Sequence, residues 1–254
     1  MGFMFKLSLA LLLFLCSGRE MMVRCGSPLK LTIVNDCPFT IWPGLQPSAG
    51  YPVLAGGGFA LNTHNHVSID VPNQWHGRVW ARTGCSFHGS GGNCLTGDCG
   101  GRLECNGLGG ATPATLAHLS LHHPHTDISS YTLSLVDGMN LPMTITPHGG
   151  HAGPGQCTVA GCRIHSLANF VCPEKLQVRH GRDVVACKSA CEAFRTDQYC
   201  CTNQYNSPNT CKPSQFSLMF KGACPDAYTY AHDDPSLVHH CPSPNEIKLI
   251  FCHA

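Results

Sequence analysis

The chain has 254 residues, among them 18 cysteines, 27 glycines and 18 prolines, and only 12% of it is charged. That mix excludes an extended charged helical protein and favours tight turns and cross-links in one large β domain with attached subdomains. A formal charge of +1 excludes the strongly basic field that nucleic-acid binding needs.

Lys6 precedes an apolar run from Leu7 to Leu15. The run is shorter than the ~20 residues of a membrane span and fits a secretory leader. Residues 1–25 are read as that signal peptide, with cleavage between residues 18 and 26. The later site removes Cys16 and Cys25 and leaves an even sixteen cysteines, whereas the earlier one leaves Cys25 over. Losing residues 1–25 takes three basic residues from 16 and one acidic residue from 15, leaving 13 against 14. No later apolar stretch is long enough for a span, and no Asn-x-Ser/Thr acceptor occurs. So many thiols suit an oxidising compartment, and the absence of any Cys-x-x-Cys pair argues for disulfides over zinc.

Short alternating stripes follow. Leu29, Leu31 and Ile33 share one strand face, as do Val67, Ile69 and Val71. Val79 and Ala81 alternate with Arg78, Trp80 and Arg82. Tyr131, Leu133 and Leu135 form another stripe, which ends at the turn signal Asp137-Gly138, and Ile247, Leu249 and Phe251 form the last. Strands of this length predict a sandwich or barrel. Residues 89–110 carry three cysteines and many glycines without apolar periodicity, which predicts a loop excursion held by covalent bonds, not by a core of its own. Residues 162–224 form a second excursion, in which Val184 to Arg195 reads as a short helix. Cys187 and Cys191, four apart, would leave one helical face and need different partners.

The segment Cys94-Leu-Thr-Gly-Asp-Cys99-Gly-Gly-Arg-Leu-Glu-Cys105 resembles the thaumatin family signature, with Ser90 where a glycine usually leads. Arg78-Val-Trp-Ala-Arg-Thr-Gly-Cys85, Val136-Asp-Gly-Met-Asn-Leu-Pro-Met143, Tyr199-Cys-Cys201 and Cys224-Pro-Asp-Ala-Tyr-Thr-Tyr230 resemble that family too. The likeness runs from about Leu29 to Phe251. It implies a mainly β, thaumatin-like sandwich core (residues 29–82, 114–163 and 225–254), a small disulfide loop subdomain (83–113) and a helical, disulfide-rich subdomain (164–224). It also implies a pairing that spacing leaves open: Cys37–Cys252, Cys85–Cys94, Cys99–Cys105, Cys157–Cys241, Cys162–Cys224, Cys172–Cys187, Cys191–Cys200 and Cys201–Cys211.

The resemblance further implies an acidic cleft lined by an Arg, a Glu and three Asp. In this sequence the Arg matches Arg78 and the Glu position holds His118. The first Asp position holds Thr132, the second keeps Asp137, and the third falls within Asp233-Asp234, read as Asp233. Two carboxylates across a glycosidic bond can serve as acid and as nucleophile or base, and an imidazole replaces neither well. Asp137 and Asp233 are the candidate pair for hydrolysis, and a non-catalytic binding cleft is the expected outcome. Arg78 and Asp137 could also simply pair with each other to hold the strands.

The expected protein is a secreted, plant-type, defence-related and antifungal member of the pathogenesis-related or osmotin-like kind, placed in the apoplast or cell wall. Its expected partner is a β-1,3-glucan or another cell-wall polysaccharide. The rivals are a weak endo-β-1,3-glucanase and a protein-binding inhibitor or signalling module. A monomer without cofactor, metal, nucleic-acid partner or membrane span is expected. The cluster His122, His123 and His125 reads as a solvated loop, and Trp42, Trp75 and Trp80 as packing residues.

Overall fold

Leu29, Leu31, Ile33, Ile247, Leu249 and Phe251 are all fully buried, as the alternating pattern requires of strands packed on one face. The computed structural model describes residues 29–72, 74–88, 91–123 and 126–253. The expected leader with Cys16 and Cys25 lies outside the described residues, as do Ser90 and His125. In chain order the strands are β1 (Lys30–Asn35), β2 (Trp42–Pro47), β3 (His66–Asp70), β4 (Trp75–Arg82), β5 (Ser86–His88), β6 (Gly91–Asn93), β7 (Leu116–Leu121) and β8 (Ile128–Ser134). They continue with β9 (Met143–His148), β10 (Ala160–Gly161), β11 (Gln177–His180), β12 (Asp183–Cys187), β13 (Ala227–Tyr228), β14 (His239–Pro242) and β15 (Glu246–Phe251).

Two sheets build the sandwich. One has the order β10-β9-β15-β1-β3, and the other β13-β8-β7-β4-β2 with β14 also on β8. In the first, β1 and β15 run parallel from Lys30↔Glu246 to Asn35↔Phe251. That register brings Cys37 to Cys252, 215 positions apart in sequence. In the second, Leu45, Val79, Ala117 and Leu133 lie side by side on β2, β4, β7 and β8 and face the core. The pleat therefore turns their neighbours to the outer face.

All eight implied disulfides are present. The helical subdomain differs from the sequence expectation. Val184 to Cys187 belongs to strand β12, which pairs with β11, and only Ala190–Phe194 forms the helix, α1. Two consecutive β-branched valines favour an extended ribbon. The helix starts where Ser189 accepts a hydrogen bond from the Glu192 amide. Cys187 thus leaves from a strand and Cys191 from a helix, and they take Cys172 and Cys200 as partners. Two further helices follow, α2 (Asp197–Cys200) and α3 (Gln215–Ala223), the latter opened by a Ser214/Ser217 capping box. Phe194, Tyr199 and Phe216 pack between the three.

The loop subdomain is anchored by more than sulfur. Trp80 and Arg82 sit on the outer face of β4, yet both are fully buried, against Gly97, Cys99, Arg102, Leu103 and Cys105. Trp80 packs with Cys99, Cys105, Ala114 and Leu116 in a small second core, and its indole N–H donates to the Gly97 carbonyl at 2.8 Å. Gly44 and Gly110 hold the indole closely: a Cβ on either would lie 2.4 Å from Cζ2 or 2.3 Å from Nε1. Trp75 is fully buried as well, and Trp75 and Trp80 are packing residues.

Candidate functional site

The outer face of the second sheet carries a row of polar side chains in register. Gln46 pairs with Arg78, Arg78 with His118, and His118 with Thr132, across β2, β4, β7 and β8. Their core-facing neighbours fix this direction: Val79, Ala117 and Leu133 are fully buried, so the residues beside them must face out. A second row lies two residues along, where His76, Ser120 and Ser130 follow the same pairing. His76 bonds Ser120 at 3.2 Å and stacks on Tyr51 at 4.7 Å between ring centroids. Ser130 bonds His240 at 2.8 Å.

Two adjoining cavities lie over these rows. One, of about 380 Å³, is bordered by Gln46, Arg78 and His118. The other, of about 220 Å³, is bordered by His76, His118, Ser130 and Thr132. Ser48, Gly77 and His118 border both, so they form one groove. The Arg78 Nε donates to Gln46 Oε1 at 2.5 Å. Among the described residues, the two terminal guanidinium nitrogens of Arg78 and the His118 ring have no hydrogen-bond partner. No Arg78–Asp137 ion pair forms. Burial, then the nearby Arg78 charge, holds the His118 pKa below its ordinary 6.5, while Asp137 pulls it the other way. Neutral imidazole is therefore the ground form of His118 near pH 7.

Asp137 stands beside a junction of the residue 114 segment with β12. Its carbonyl accepts from the Ala114 amide, and Met139 two residues on exchanges backbone hydrogen bonds with Cys187 at 2.8 and 2.7 Å. Gly138 makes this junction possible: its φ is +85°, and a Cβ there would lie 2.5 Å from Pro113 and 2.6 Å from the Cys187 carbonyl.

A carboxylate that sequence reasoning missed faces the same junction. Glu192 on α1 accepts from the Thr112 hydroxyl at 3.0 Å, and its other oxygen is buried with no hydrogen-bond partner among the described residues. Burial raises its pKa, Thr112 and Lys188 lower it, and Asp137 raises it again. The Ser189-Ala-Cys-Glu192 spacing of a capped helix start was the available signal.

Asp233 is placed differently. One oxygen pairs with Lys221 at 2.7 Å and accepts from the amide and hydroxyl of Thr229 at 2.9 Å, and the other accepts from the Asp234 amide at 2.9 Å. Its side chain is only 9% exposed. Burial acts to raise its pKa, and Lys221 with the two backbone amides outweighs that and holds it below the usual 3.8. Asp234 caps the short turn Pro235–Leu237 through the Ser236 amide. The structure thus aligns Arg78, His118 and Thr132, sets Asp137 near His118, and ties Asp233 into the fold.

Behind the groove, His239 stacks on Tyr131 at 5.6 Å and bonds Thr158 at 2.8 Å, with its Nε2 buried and without a hydrogen-bond partner among the described residues. Burial, with a small addition from His240, lowers its pKa against the pull of Asp226. The unfolded chain therefore takes this proton first as pH falls through about 6.5, and the stability that neutral His239 contributes is lost toward its lower folded value. The melting temperature should fall from pH 7 to pH 5. His239→Phe, which keeps a ring but cannot titrate, should fall less steeply over that range. Parallel slopes for the two proteins would remove His239 from this account.

The sandwich and the eight bridges define a thaumatin-like protein. A model of the thaumatin family matches residues 35–253, and the chain belongs to that family. It is 59% identical over 227 residues to an osmotin-like protein of Solanum lycopersicum, covering 88% of each chain. It is 50% identical over 230 residues to a thaumatin-like protein of Arabidopsis thaliana, covering 89% of this chain and 91% of the other. A further relative, from Prunus avium, is named glucan endo-1,3-beta-glucosidase and is 44% identical over 226 residues, covering 87% and 89%. Among the described residues no helix is long and apolar enough to cross a membrane.

Proposed function

We propose that this chain is an exported, defence-type thaumatin-like protein that binds a cell-wall polysaccharide in the groove without cleaving it. The observation that carries this reading is the row of Arg78, His118 and Thr132. Their polar atoms border an open groove, and among the described residues the only hydrogen bond from their side-chain tips to another side chain is that of Arg78 Nε to Gln46. Such groups suit sugar hydroxyls, which both donate and accept. The carboxylate chemistry of hydrolysis is thinner here. His118 and Thr132 are no carboxylates, and Asp233 already holds Lys221, Thr229 and the Asp234 amide. Asp233 is assigned a structural role, holding the Thr229 turn to Lys221 on α3. Export is supported by the apolar run at Leu7 to Leu15 and by eight disulfides.

The weak glucanase remains the second reading because Glu192 lies near Asp137 with its pKa raised, which is how a general acid is tuned. Incubating the purified protein with insoluble and soluble β-1,3-glucans decides between the two. Retention on the polysaccharide with no new reducing ends is expected. Release of reducing ends that Asp137→Ala and Glu192→Gln abolish would overturn the non-catalytic reading. No retention on any glycan, with one stable protein partner instead, would favour the inhibitor or signalling role.

A further inference from the structure

We propose that the groove prefers an acidic, uronate-bearing polysaccharide and that the Arg78 guanidinium receives the uronate carboxylate. This rests on the carbohydrate-binding reading and names its ligand class. Among the described residues, neither cavity over the sheet is bordered by a carboxylate, and the one permanent charge on their walls is Arg78. The Arg78 Nε is fixed by Gln46 at 2.5 Å, which locks the plane of the guanidinium. Both terminal nitrogens are then left without a protein hydrogen bond among the described residues. A planar cation held by one edge and free at the other matches the two oxygens of a carboxylate.

The neighbouring groups agree with that sign. The adjacent His118 is half-buried, with no hydrogen bond among the described residues, and can donate one N–H. Thr132, next in the row, offers a hydroxyl. The second row adds His76, Ser120 and Ser130, which suit the neutral hydroxyls of flanking sugars. Asp137 acts on both His118 and Glu192 but borders neither cavity, and Lys188 and Arg195 act on Glu192 in the opposite sense. Next to Arg78 in the row, neutral His118 and Thr132 set no negative charge against a polyuronate.

The test compares three probes on the secreted protein by titration calorimetry at pH 6.5 and low salt: galacturonate oligomers, the same oligomers fully methyl-esterified, and neutral β-1,3-glucan oligomers. The free acid should bind about tenfold more tightly than its ester, the size of one charge-assisted pair. Arg78→Gln should abolish that preference, and Arg78→Lys, a point charge without a fork, should keep only part of it. Equal affinity for acid and ester, or an acid preference that survives Arg78→Gln, overturns the proposal. If the neutral glucan binds and the acid gains nothing, the proposal fails while carbohydrate binding stands. If none of the three binds, both fall. The acid–ester comparison needs no variant, so it holds even if the Arg78 variants fold poorly.

Discussion

Arg82→Ala should destabilise the folded protein by about 3–5 kcal/mol, the range for stripping one member from a buried charged network. Arg82 is fully buried. Its Nε donates to the Trp42 carbonyl at 2.9 Å, Nη1 to the Arg102 carbonyl at 2.7 Å, and Nη2 to the Pro43 and Leu103 carbonyls at 3.1 and 2.8 Å. One side chain therefore bonds strand β2 to the loop subdomain. Burial lowers its pKa to about 10 despite the favourable Asp98 charge, so it stays protonated at neutral pH. Alanine removes the cation and leaves four carbonyls facing a cavity, each short of a donor. For a chain of this size the melting temperature should drop by roughly 10 °C. Arg82→Lys should rescue little, since three donors on one nitrogen cannot reach four spread carbonyls. A drop of less than about 2 °C for Arg82→Ala would show that the carbonyls find water instead.

The second large effect concerns the bridge between Cys37 and Cys252. Removing it through Cys37→Ala with Cys252→Ala should cost clearly more than removing Cys85–Cys94. The first closes 215 residues and the second only 9. Loop-closure entropy gives about 5 kcal/mol for the long loop and about 2.5 for the short one. Burial acts in the same direction, because Cys37 and Cys252 are buried in the main core while Cys85 and Cys94 are half-exposed. Thermal melts of the two paired variants test this directly, with the Cys37 variant expected roughly 5–10 °C below the other. Equal midpoints would mean that the parallel pairing of β1 with β15 already holds the two ends together without the bond.

Much of the fold was legible in local pattern. Leu29, Leu31 and Ile33 announce β1 because alternation with a period of two needs no knowledge of the partner strand. The valines at 184 and 185 were misread as helical because a stretch next to a true helix shares its apolar content, and only pairing with β11 reveals the strand. Arg82 and Trp80 carried the outward half of an alternation, and nothing local says that a second layer will cover them.

The site divides in the same way. Its row could be named from the sequence residue by residue, through family likeness, but not the state of its members. Whether Asp233 is free or bound depends on Lys221 and Thr229, which reach it only after the chain has turned back. Glu192 enters the same junction as Asp137 because Met139 and Cys187 exchange backbone hydrogen bonds there.

The sequence by itself determined the sandwich strands, the sulfur chemistry and the residue types Arg78, His118 and Thr132 that the row carries. Residue type, spacing and alternation are properties of the chain before it folds. Only the tertiary structure decided which polar groups are already satisfied and which face the groove without a partner. Hydrogen bonding and burial are properties of neighbours in space, and Arg82, Glu192 and Asp233 take partners from as far as 40, 80 and 12 positions away.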